Sequence, residues 1–444
     1  MAHSLAAEPH EFKAGVASRV ITPAGPHWMS GYANRNKPAS TKIHDLRVKA
    51  LALEDPAGGK LVILTSDLVG IPRGLSVAVA EEVHKQTGLP RDRLMLTCSH
   101  THCGPVVRDN LADMYEMPPE EAAKIGPYTD KLREWMIETV VAALADLKPA
   151  RLCVGMGTAR FAINRRSNKE AEVPKLMAQG ATFRGPVDHD VPVLRVTTPE
   201  GKLRAVVFGY ACHNTTMQFY QWCGDYAGFA QQYLEEKHPG AMALFWIGCG
   251  GDQNPLPRSK IELCEKYGRQ LADAVEKVLA GTLTPVRGAT IARYREIALP
   301  FDKLPAKEQL TADALSKSYA LRQRATRLLK ALESGAKIDD RYAHYPVQVW
   351  RLGDGPLWVA LGGEVVVDYS LRLKKELAGD RPVWIIGYAN DVMAYIPSER
   401  VRKEGGYEGD SSMIYYGHPT KWGPGIEEKI MAKVHRLGQE VSRR

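Results

Sequence analysis

Apolar residues fall in short runs, and most of the runs discharge into polar or glycine-rich stretches. Residues 14–21 and 46–54 alternate or run apolar through Val16, Val20 and Ile21, and through Val48, Leu51 and Leu53, which predicts two strands. A third strand over 61–65 leads into Ser66-Asp67 and a helix at about 73–86, and a fourth covers 94–98. Past Gly126-Pro127, read as a break, Ile137, Val140, Val141 and Leu144 recur at helical spacing in a helix running to about 147. Strands follow at 150–160, 191–197, 203–210 and 243–247, with a helix at 225–238 before the last. Helices at about 260–280 and 306–334 come next, the second so rich in Lys, Arg and Ala that it reads as a solvated outer layer. Strands 346–352 and 356–361 pair across Gly353-Asp354-Gly355, a hairpin signal. Helix 366–378, strand 382–388 and a terminal helix at about 425–442 complete an α/β chain of mixed sheets with covering helices. Neither repeats nor a composition break divide it, so one catalytic domain over 1–444 is expected.

What lies at the strand ends changes the picture. The run at 94–98 ends in Ser99-His100-Thr101-His102-Cys103-Gly104-Pro105. If extended, this stretch puts His100 and His102 on one face. The 203–210 strand likewise ends in His213, the hairpin delivers Gly362-Gly363-Glu364, and the 382–388 strand leads to Asn390 and then Tyr395. Neutral imidazoles with a carboxylate and an open position make a catalytic zinc set. The 243–247 strand runs into Gly248-Cys249-Gly250-Gly251-Asp252, but no Lys-Ser/Thr follows as a phosphate loop requires, so nucleotide binding is discounted.

Composition narrows the classes. Hydrophobic residues at 44% and charged residues at 25% are ordinary globular values. The net charge of +8 comes from Lys and Arg scattered among Asp and Glu, which argues against nucleic acid, and no apolar run is long enough for a transmembrane segment. Seven cysteines form no C-x-x-C pair; an odd count argues against a full disulfide framework, and a thiolate ligand ranks behind imidazole.

Several blocks in a fixed order resemble the neutral/alkaline non-lysosomal ceramidase family. They are Gly15-Val16-Ala17 to Ile21-Thr22-Pro23 with Gly31-Tyr32, His-Thr-His-x-Gly-Pro from His100, Asn164-Arg165, and His213-x-Thr-Thr-Met217. Asp225 to Gly228, Gly251-Asp252, Gly363-Glu364, and Tyr395 with Tyr407 continue the series. The resemblance implies a neutral-ceramidase-like fold and a zinc ion held by His100, His213, Glu364 and Tyr395. It also implies that His102, Arg165 and Tyr407 contact the scissile group, with Arg166 the alternative to Arg165 because the local Asn-Arg-Arg leaves two registers.

Two departures bear on substrate. The family's Gly-Asp-x-Ser-Pro is Gly251-Asp252-Gln253-Asn254-Pro255 here, so Asn254 stands in the place of a serine, and the β-sandwich domain that follows in ceramidases is not expected. The leading expectation is a zinc-dependent hydrolase in which metal-activated water attacks an amide or similar bond, with Asp252 orienting water or substrate. An alternative is a zinc-dependent hydrolase of a small polar or carbohydrate (glycoside) substrate bonded by Asp225, Asp252 and Asn254. A metal-binding protein without catalysis is a third. The N-terminus carries no basic or long apolar segment of an export signal, yet the resemblance implies an exported protein, secreted or periplasmic, and Ala6-Ala7-Glu8 fits a processed start. The partner expected is a small-molecule substrate, and the number of subunits stays open.

Overall fold

The apolar runs become the strands of two sheets stacked face to face in a computed structural model that describes residues 12–443. The start at Ala6-Ala7-Glu8 lies outside the described residues. The larger sheet runs, in spatial order, Met242–Ile247, Leu203–Tyr210, Asp190–Thr197, Lys148–Thr158, Phe12–Val20, Arg47–Glu54, Lys60–Ser66 and Leu94–Cys98, with Thr284–Pro285 against Lys148–Thr158. Its two outermost pairs are parallel and the pairs between them antiparallel, which makes it mixed. The smaller sheet is Ile291–Pro300, Arg341–Arg351, Leu357–Leu361 and Val383–Ile386, and its central pair is the hairpin expected across residues 353–355.

Side chains alternate in and out along each strand, so each sheet has two faces to cover. The inner faces meet in a core that joins Phe12, Leu51, Met95 and Trp246 to Trp350, Trp358 and Trp384. The outer face of the larger sheet is covered by Arg73–Thr87, Pro119–Ala145, Asp225–Lys237 and Ile261–Ala280, and that of the smaller by Val367–Glu376 and Ile426–Ser442. Asn390 ties the layers together: its backbone N–H and side-chain oxygen bond the backbone of Leu96, and its amide donates to Gln348 of the smaller sheet at 2.8 Å. Among the described residues, no helix is long and apolar enough to cross a membrane.

Two expected boundaries moved. The helix read as beginning after Gly126-Pro127 begins at Pro119 and carries Pro127 inside it. A proline costs a helix interior about 3 kcal/mol, and the buried face of Leu132, Met136, Ile137 and Val140 outweighs it. The helix expected over 306–334 is two, Lys307–Asp313 and Tyr319–Glu333, which pack on each other through Leu310, Ala325 and Leu328.

Candidate metal centre and active site

Strand Leu94–Cys98 delivers His100 and His102, but not in the extended form expected. His100 is left-handed with φ 59°, so the two imidazoles converge because the chain turns between them, with their Nε2 atoms 3.1 Å apart. His213 follows strand Leu203–Tyr210, and its backbone N–H donates to the Gln253 carbonyl at 2.9 Å. Glu364 and Tyr395 come from the smaller-sheet half, on the two-residue parallel pair Glu364–Val365 and Tyr395–Ile396. All five are buried. The turn before Asp252 runs beneath Glu364: a Cβ on Gly251 would lie 2.6 Å from the Glu364 carbonyl oxygen, so only glycine lets the two backbones approach.

The imidazole nitrogens are not equivalent. His100 Nδ1 faces the Val69 carbonyl at 2.5 Å and His213 Nδ1 faces the Gly250 carbonyl at 2.6 Å. A carbonyl only accepts, so each Nδ1 carries the proton and each neutral ring presents a bare lone pair at Nε2. Glu364 Oε2, which only accepts, lies 3.3 Å from His100 Nε2 and 3.1 Å from His213 Nε2, and the Tyr395 hydroxyl, which can donate, lies 3.1 Å from His213 Nε2. His102 Nδ1 is buried without a partner, and one ligand atom from each of the three histidines lies within 4.8 Å of the others. Electron pairs aimed at one point, with the far side of the rings tied to carbonyls, are the donor set and supporting shell of a divalent metal. The residues present therefore fit the zinc that the resemblance implies.

Electrostatics keep the cluster in its ligating form. Burial, with His100 and His213 beside it, holds His102 well below the ordinary imidazole value. Burial and the nearby Arg165 charge lower His213 to about 4. Burial pushes Glu364 up, but His100 and His213 outweigh it and the carboxyl lies well below the usual range. His102 and His213 are neutral and the Glu364 carboxylate is charged near neutral pH.

Arg165 is clamped at the edge of the cluster. Its Nε donates to Glu408 at 2.7 Å, Nη1 to Asn254 Oδ1 at 3.1 Å and Nη2 to the Tyr395 hydroxyl at 3.2 Å, and the guanidinium lies 5.7 Å from the Tyr407 ring centre. Arg166 instead bonds Glu408, Glu404 and the Gly405 carbonyl, so Arg165 is the arginine brought to the cluster. Tyr407 packs edge-on against Tyr395 and is 40% exposed, which places it at the rim.

Asp252 and Asp225 stand apart from the chemistry expected of them. The Asp252 oxygens accept from Val367 N–H and Asn164 Nδ2, fixing the start of helix Val367–Glu376 and the Arg165 loop. Those of Asp225 accept from the backbone N–H groups of Thr216, Met217 and Tyr226. Both are fully buried and hold loops.

Sequence reasoning missed three residues, Tyr416, Tyr388 and Glu408, and named a fourth, Gly31, without its role. Tyr416 donates to Glu364 Oε1, and the Tyr388 ring lies 4.5 Å from that of His100. Glu408 anchors both arginines. Gly31, with φ 96°, lets the His102 ring lie where a Cβ would be 2.4 Å away, which explains why a glycine precedes Tyr32. Only Gly31, inside a quoted block, carried a sequence signal. No cysteine joins the imidazole group, and all seven are free.

These features define an α/β protein with a buried imidazole and carboxylate centre able to hold a metal. The model of the neutral/alkaline non-lysosomal ceramidase N-terminal region matches residues 12–286, and the chain belongs to that family. It is similar to neutral ceramidase A of Dictyostelium discoideum, 25% identical over 249 residues, or 52% of this chain and 34% of that protein. It is also similar to the neutral ceramidase of Pseudomonas aeruginosa, 23% identical over 488 aligned positions, or 93% of this chain and 70% of that one. The chain thus spans about a third of the first relative's length. The crystal structure of the Pseudomonas enzyme superposes with a TM-score of 0.73 at 19% identity, covering 98% of this chain and 75% of that chain. A ceramidase structure described as complexed with C2 gives 0.71 at 18%, covering 97% and 74%. At these identities the structures establish the shared fold.

Proposed function

We propose that this chain is a zinc-dependent hydrolase that cleaves an amide or comparable bond, with His100, His213, Glu364 and Tyr395 holding the ion. The observation that carries the reading is that Oε2 of Glu364 lies within 3.3 Å of Nε2 of both His100 and His213, with each Nδ1 tied to a carbonyl. A zinc ion there supplies a Lewis acid and acidifies water that reaches it. The chain's own groups do the rest. Arg165 is held with its charge at the edge of the cluster, suited to a developing negative oxygen, and Tyr407 adds a hydroxyl at the rim. Neutral His102, its Nε2 3.1 Å from that of His100, contacts the substrate beside the ion without adding charge.

Membership of the ceramidase family favours an N-acyl lipid as substrate. The polar-substrate alternative loses support, since two of its three side chains, Asp225 and Asp252, spend their oxygens on loop backbone and Asn164. The test pairs metal analysis with turnover. About one zinc per chain is expected, lost in His100→Ala and His213→Ala, with chelator-sensitive hydrolysis of ceramide-type lipids and none of p-nitrophenyl glycosides. A metal-free, fully active protein overturns the zinc reading, and glycoside cleavage alone overturns the substrate class.

A further inference from the structure

Asn254 stands where a serine was expected from the family resemblance, and its surroundings dictate which end of its amide does what. Strand Gln253–Pro255 pairs antiparallel with Ala162–Asn164, setting Asn254 opposite Ile163, and Arg165 N–H bonds the Asp252 carbonyl at 2.9 Å. The same strand takes the His213 N–H on the Gln253 carbonyl. Asn254 is thus pinned by backbone between a residue of the proposed metal set and Arg165.

A guanidinium has five donors and no acceptor. The 3.1 Å contact from Arg165 Nη1 therefore fixes Oδ1 of Asn254 toward Arg165 and turns Nδ2 the other way. Among the described residues Nδ2 has no hydrogen-bond partner, although the side chain is 97% buried, at 3% exposure. Nδ2 itself is not sealed from solvent, so it is free to donate to a ligand that reaches it. A serine hydroxyl here could donate or accept; the clamped asparagine can only donate.

We infer that Asn254 is a catalytic residue whose Nδ2 donates to the carbonyl oxygen of the scissile bond, adding a neutral donor to the Arg165 charge where negative charge gathers. This deepens, and rests on, the hydrolase reading above. In the overall reaction the water oxygen forms a bond to the acyl carbon, the bond from that carbon to nitrogen breaks, and a proton goes to the leaving nitrogen. Asn254 supplies no atom and gives up no proton. Its task is to hold the oxygen while charge builds on it, and it selects substrates that present an acceptor at that point.

The test uses the zinc-loaded protein, the ceramide-type lipid assay, and calorimetric titration with octanoate, whose carboxylate carries the same acceptor oxygens. Asn254→Ala is expected to lower kcat by about 10²–10³-fold with little change in KM, the loss typical of one such donor, and to weaken octanoate binding about tenfold. Asn254→Asp keeps an acceptor for Arg165 but removes the donor, so it should be at least as impaired, with zinc content and Tm retained. Wild-type activity in Asn254→Asp overturns the inference, because the side chain would then serve only to position Arg165. Wild-type kcat and octanoate affinity in Asn254→Ala overturn it as well. A wild-type protein that neither hydrolyses the lipid nor binds octanoate overturns the underlying hydrolase reading, and this one with it.

Discussion

Replacing Glu408 by glutamine tests whether Arg165 is held at the cluster by charge. The Glu408 carboxylate takes Arg165 Nε at 2.7 Å on one oxygen and Arg166 Nη1 at 2.6 Å on the other, and its side chain is 5% exposed against 20% and 13% for the two partners. Hydrogen bonds to charged groups contribute about 1.5–3 kcal/mol each. Glutamine keeps one acceptor and turns an N–H pair against the other guanidinium, so one bond is lost and both cations lose their counter-charge. The expected loss is about 2–4 kcal/mol, near the 3–5 found when one partner of a buried pair is removed. It should appear as a lowered urea midpoint. Burial pushes the Glu408 carboxyl up, but Arg165 and Arg166 outweigh it and the folded-state value lies below the ordinary one. A depressed carboxylate stabilises above its unfolded value of about 4.3 and loses that contribution as pH falls through the folded value. The gap between wild type and Glu408→Gln should therefore be full at pH 7 and shrink below about pH 4. Equal midpoints at pH 7, or a gap undiminished in acid, refute the reasoning. With Arg165 untethered, kcat/KM should fall by about 10–100-fold while zinc is retained.

Three further outcomes follow from single contacts. Gly31→Ala puts a methyl 2.4 Å from the His102 ring at a φ of 96°, so it should lower stability by about 1–3 kcal/mol, read as Tm, and cut turnover sharply. Tyr416→Phe removes the donor to Glu364 Oε1 and should weaken zinc binding about 10–100-fold in competition with a chelator. Burial raises Asp391, whose carboxylate is bonded by Tyr342, to about 7. A raised carboxyl favours folding below its unfolded value near 3.9 and loses that contribution as pH rises through about 7, so stability should decline by on the order of 4 kcal/mol across that window, and Asp391→Asn should abolish the slope.

The strand runs that end in His100, His213 and Glu364 were legible because burial on both sheet faces writes continuous apolar runs into the sequence. His100 and His102 meet by another route than the extended strand predicts: a left-handed residue, not a β pleat, brings the rings together. The pairing of Ala162–Asn164 with Gln253–Pro255, which sets Arg165 beside Asn254, spans three residues a side, too few for any periodicity to register. Glu408 sits in the short helix Gly406–Gly409 and Tyr416 in the turn after Ser411–Ile414, where tertiary contacts choose which side chains face inward. Asp225 and Asp252 looked like chemistry because carboxylates beside glycine serve both catalysis and loop closure, and only the hydrogen-bond partners separate the two.

His100 and His213 hang from one sheet and Glu364 and Tyr395 from the half that carries the other, so the cluster is only as well aligned as those two halves are. Its tolerance is set well behind it, in the greasy seam of Trp350, Trp358 and Trp384 and in the Asn390 bridge to Leu96. A slip of an ångström along that seam would scatter the four groups without touching any of them. Variation among relatives in those remote tryptophans is therefore as informative about this centre as variation in the histidines themselves.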